Sequence, residues 1–186
     1  MKKKLAVIFP GVGYHTDKPL LYYSKMLAAE YGYEILNVSY GGFESGIKGN
    51  AGKMQQAFED ALQQADGILA GTDWDREDIL FVSKSVGTAV ASAFAVRHGL
   101  HPRFVYFTPV EASFRVMQEP CVVFHGDMDP WLDHQIFLEK VREAGFAYHV
   151  VKGANHSLET GSAETDIGNL QDIMRKVDDF VKGRIG

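Results

Sequence analysis

Short apolar, β-branched runs alternate with longer amphipathic segments along this chain, and no other feature restricts its fold as sharply. A continuous apolar run has no solvent face, so it belongs in a strand covered on both sides, as in a parallel sheet flanked by helices. Leu5–Phe9, Glu34–Val38, Ile79–Val82, Arg103–Phe107, Cys121–Phe124 and Ala147–Val151 read this way. Between and after them, Leu20–Glu30, Ala51–Ala65, Val86–His98, Asp133–Glu143 and Thr165–Val181 carry apolar residues at helical spacing. Crossovers of this length suit βαβ units. The expectation is a three-layer α/β/α sandwich around a mostly parallel sheet of about six strands, in one domain spanning residues 1–186.

In an open α/β sheet, ligand sites form beyond the carboxyl ends of the strands, so the loops there hold the candidate chemistry. Gly11–Pro19, Tyr40–Asn50 and Thr108–Glu119 follow strands and are longer or looser than their neighbours. Gly11-Val12-Gly13 invites a dinucleotide reading, but that fingerprint needs a further glycine where Thr16 stands. The formal net charge of −5 gives no electrostatic reason to expect nucleic acid or an anionic membrane as partner. The apolar run after Met1-Lys2-Lys3-Lys4 stops at Pro10-Gly11, too early for a signal sequence. A single cysteine, Cys121, permits no internal disulfide and agrees with a cytoplasmic setting. Cys121 itself reads as a small buried hydrophobe.

The segment Ser83-Lys84-Ser85-Val86-Gly87 joins a strand run to an Ala-rich helical stretch. A sharp strand-to-helix turn at Ser85 needs small neighbours two residues away on either side, and Ser83 and Gly87 are small. A serine hydroxyl becomes a nucleophile only when a base takes its proton and a carboxylate orients that base. Candidates occur in later loops, in His125-Gly126-Asp127-Met128-Asp129-Pro130 and in Gly153-Ala154-Asn155-His156. The bland alternatives are helix capping, by Ser85 ahead of Val86 and by Asp129 ahead of Trp131. Asp127 and Glu111 are rival acids. The cluster His125, Asp127 and Asp129 admits a metal reading, but no further ligands stand at a recognisable spacing, and no metal or cofactor is expected. Lys84 suggests either attraction of an anionic substrate or a salt bridge with a nearby acid.

With these residues the chain resembles the α/β-hydrolase superfamily, over nearly its whole length and in the chain order serine, acid, histidine. It is similar in outline to small, cap-less carboxylesterases and dienelactone-hydrolase-like proteins. The resemblance implies Ser85 as nucleophile, Asp129 as acid and His156 as base. It also implies an oxyanion hole from the backbone N–H groups of Val12 and Val86. Gly13, Tyr14, His15, Tyr40 and Phe43 lie in site-facing loops and are candidates for substrate contact. Ser83 departs from the family's usual first glycine, and Pro10 stands where many relatives carry histidine. Between Phe107 and Cys121 there is no room for a cap, which implies a shallow site for a small-molecule ester. A thioesterase or peptidase would use the same residues, and a binding protein of this fold would use none of them catalytically.

Overall fold

A computed structural model describes residues 3–47 and 50–183; residues 48 and 49 of the Tyr40–Asn50 loop lie outside it, as do the first two and last three residues. The strands are β1 (Lys4–Phe9), β2 (Tyr33–Asn37), β3 (Ile79–Lys84), β4 (Arg103–Phe107), β5 (Cys121–Gly126) and β6 (Ala147–Val151). The helices are α1 (Pro19–Glu30), α2 (Ala51–Ile68), α3 (Val86–His98), α4 (His134–Ala144) and α5 (Ala163–Val181). All strand pairs are parallel, in the spatial order β2-β1-β3-β4-β5-β6. The expected loop Thr108–Glu119 contains a short 3-10 helix, Glu111–Arg115, that the apolar pattern did not reveal.

This order explains the layering. The step from β1 to β2 runs opposite to every later step, and right-handed crossovers in opposite directions put their helices on opposite faces. Alternate strand residues accordingly enter separate cores. Leu5, Val7, Phe9 and Phe81 pack with Ala61, Leu62, Val90, Phe94, Phe137 and Val141 of α2, α3 and α4. Ala6, Ile8, Val82 and Val105 pack with Leu20, Leu21, Ile173, Val177 and Phe180 of α1 and α5. Asn50, Asp133 and Ser162 cap α2, α4 and α5 with their side chains, so Asp129 is not the cap of α4. No helix among the described residues is long and apolar enough to cross a membrane.

The chain reverses direction across the sheet between β1 and β3, and the loops after these neighbouring strands face one crevice. Ser85 follows β3, and the Gly11–Tyr14 turn follows β1.

Candidate active site

Ser85 sits between β3 and α3 with φ +56° and ψ −127°, a conformation that costs a non-glycine residue of order 1–3 kcal/mol. The strain projects the hydroxyl out of the turn. Its Oγ makes no capping bond to α3, which removes the bland reading, and instead lies 2.8 Å from His156 Nε2. His156 Nδ1 lies 2.7 Å from Asp129 Oδ2, and the other oxygen of that carboxylate accepts from the Trp131 N–H at 2.8 Å. Asp129 is buried, its carboxylate fully so, whereas 16% of the His156 side chain is exposed. The imidazole thus bridges a half-buried hydroxyl and a buried carboxylate.

The rival acids are placed elsewhere. Asp127 Oδ1 accepts from Gly153 N at 2.6 Å, tying the acid loop to the histidine loop, and Glu111 is exposed at the start of the 3-10 helix. Among the described residues no group of three or more His, Cys, Asp or Glu could hold a metal ion.

Close backbone contacts fix this arrangement. A Cβ added to Gly87 would stand 2.3 Å from Pro10 O and 2.5 Å from Phe9 O, so only glycine lets α3 begin this close to the end of β1. Ser83 is buried, and its hydroxyl is satisfied by donating to Val105 O at 3.3 Å. The turn after β1 is closed by Gly11 N to Tyr14 O and Tyr14 N to Gly11 O, leaving the N–H groups of Val12 and Gly13 out of its closure. Val86, as the first residue of α3, has an N–H without an intrahelical acceptor.

The other loop residues divide. Tyr14 is buried; its hydroxyl accepts from Leu20 N, and its burial pushes the phenol up to about 12. Tyr14 also lines a shallow cavity of about 250 Å³ between Leu158 and the start of α5. Gly13 and His15 are exposed, while Tyr40 packs edge-on against Phe43 and donates its hydroxyl to Pro10 O. Trp131 stacks 5.3 Å from the His156 ring, a neighbour that the sequence presented only as part of a helix entry.

Beneath the acid loop His125 is wholly buried, stacked 4.0 Å from the Phe137 ring, and neither of its ring nitrogens has a hydrogen-bond partner among the described residues. Burial pulls its imidazole down to about 4, against the attraction of Asp129. The unfolded chain therefore takes up this proton first as pH falls, so stability should be lost between about pH 6.5 and 4, by roughly 3 kcal/mol in all. Urea unfolding across that window should show a steeper decline for the native protein than for His125→Leu. Equal slopes would remove His125 from the account.

Lys84 contradicts both expectations for it. It is 1% exposed, and its ammonium donates to Thr108 Oγ1 and to the His156 carbonyl, not to a carboxylate.

No protein-family model matches this sequence, and no curated protein does. Solved structures do match. A lidless α/β serine hydrolase from Xanthomonas campestris aligns with TM-score 0.68 at 14% identity, covering 100% of this chain and 84% of the other. Est1E from Butyrivibrio proteoclasticus aligns with TM-score 0.72 at 12% identity, covering 98% and 88%. An α/β serine hydrolase homologue from Coxiella burnetii aligns with TM-score 0.64 at 15% identity, covering 94% and 84%. At these identities the likeness is one of fold.

Proposed function

From its α/β-hydrolase fold without a lid, we propose that this chain is a serine hydrolase that cleaves a carboxylic ester of a small substrate through an acyl-enzyme on Ser85. One observation carries the reading: a strained serine, an imidazole and a buried carboxylate are linked at 2.8 and 2.7 Å. Helix capping does not account for it, since Ser85 Oγ caps no helix and Asp129, although one of its oxygens holds the Trp131 N–H, does not cap α4.

In this reading His156 Nε2 takes the Ser85 proton as Oγ attacks the ester carbonyl, and Asp129 holds Nδ1–H and stabilises the imidazolium. The N–H groups of Val12 and Val86 receive the developing oxyanion, a role in which one donor can supply about 3–4 kcal/mol. His156 then protonates the leaving alkoxide. Water, deprotonated by the same nitrogen, attacks the acyl-enzyme and releases the acid.

The 3-10 helix occupies the segment where a lid would rise, which favours small or extended esters over enclosed lipids. The test is covalent. A fluorophosphonate probe should add to Ser85 in the folded protein, as located by peptide mass spectrometry; an unlabelled Ser85 ends the reading. A panel of acyl esters and thioesters of graded length then defines the substrate. It should include a feruloyl ester, because ferulic acid is bound to Est1E in one matching structure.

A further inference from the structure

The last residue of β3 is a lysine whose side chain is buried. Lys84 pairs with Phe107 in the sheet and is 1% exposed, directly before Ser85. Its Nζ donates to Thr108 Oγ1 at 2.5 Å and to the His156 carbonyl at 2.6 Å, and Thr108 Oγ1 donates to the same carbonyl at 2.9 Å. Thr108 holds φ +40°, an unfavourable value for a β-branched residue, and is fully buried just after β4. Three chain segments therefore meet at one ammonium: the strand that presents Ser85, the strand beside it, and the loop that presents His156.

This placement does not serve stability. A buried ammonium bonded only to neutral oxygens is a cost to the folded state. Without Lys84, Thr108 would still have its acceptor and the His156 carbonyl its donor, so an apolar side chain of similar length would orphan nothing.

We propose that Lys84 is a positioning residue for His156: its ammonium clamps the His156 carbonyl to Thr108 and, from beneath the loop, disfavours protonation of the imidazole. The catalytic meaning of this hold rests on the hydrolase reading above. A histidine that must accept the Ser85 proton is useless once protonated, and a nearby like charge opposes protonation. Lys84 carries that charge where it is needed. Burial pulls its ammonium down to about 7, so it is charged below that pH, where an imidazole would ordinarily take up a proton. Asp129 and Glu159 favour the ammonium, Lys18 opposes it, and the Tyr14 ring faces it at 5.0 Å.

Lys84→Met removes the charge and keeps the length. The ring signals of His156, assigned by their loss in His156→Gln, should titrate about one pH unit higher in this variant, and the acid limb of kcat/KM should rise by the same amount. Urea unfolding should show no loss of stability. A His156 midpoint unchanged within about 0.3 unit, or a Lys84→Met chain that no longer folds, overturns the proposal. Thr108→Val is the second arm: it removes one donor from the His156 carbonyl and one acceptor from the ammonium, and should lower kcat about tenfold with KM unmoved. An unchanged kcat there overturns the clamp. The two readings fail separately, because an unlabelled Ser85 defeats the hydrolase reading while the His156 midpoint still reports whether Lys84 acts on the imidazole.

Discussion

Asp129→Asn is expected to lower kcat by about 10⁴-fold, some 5 kcal/mol of barrier, while the protein stays folded. An asparagine keeps an oxygen for the Trp131 N–H, so the loop retains its local bond. Its amide then turns a donor toward His156 Nδ1, where the carboxylate accepted. A neutral imidazole answers by carrying its proton on Nε2, the nitrogen facing Ser85 Oγ, and can no longer accept the serine proton. Ser85→Ala should cost about 10⁶-fold, and the double variant no more than Ser85→Ala alone, because the groups act as a unit. Turnover of a chromogenic short-chain ester, with circular dichroism to check the fold, measures all three. A kcat for Asp129→Asn within tenfold of the native value would mean that this carboxylate does not orient the base.

The Asp129 carboxylate is held at 2.7 Å from His156 Nδ1 and at 2.8 Å from the Trp131 N–H, a placement that no spacing in the sequence marks. The loop 125–130 offered two aspartates, and both stand after the same strand. What separates them is a turn in which Asp129 N donates to Gly126 O, turning its carboxylate to His156, while Asp127 binds Gly153 N. Composition cannot register such a turn. Strands and helices were legible because apolar runs and helical spacing report burial directly: Arg103–Phe107, Ala147–Val151 and Val86–His98 have the expected bounds.

The ends of β3 and β5 were less legible, for one reason. β3 continues through Ser83 and Lys84, and β5 through His125 and Gly126, because ladder hydrogen bonds persist after the apolar run ends. These polar strand ends are where the crevice forms, so the residues that break the pattern are the ones around the site. A lysine in a doubly covered strand was the visible signal at Lys84; its partners, Thr108 and a backbone carbonyl, left none.

Gly126→Ala should destabilise the protein by at least about 3 kcal/mol, near the upper range for overpacking, although no unusual backbone angle demands glycine there. The added Cβ would stand 2.2 Å from Ala154 O, 2.7 Å from Ala154 C and 2.7 Å from Asn155 O. All three are backbone atoms, so no side chain can swing aside. Either the end of β5, paired here with β6 through Gly126 and Val151, must part, or the loop leading into His156 must lift. Lifting it moves the imidazole away from Ser85, and a displacement near 1 Å can cost about 100-fold in rate. Gly13→Ala is the control: its φ of +75° is strained for alanine, but nothing lies within 4 Å of the new Cβ, so the cost should be about 1–2 kcal/mol. Urea unfolding of both variants, with the rate of probe addition to Ser85 at a temperature where each is folded, tests the difference. Equal stabilities would show that the histidine loop yields freely to Gly126; the crevice would then owe its shape to Lys84 and Thr108 more than to backbone packing.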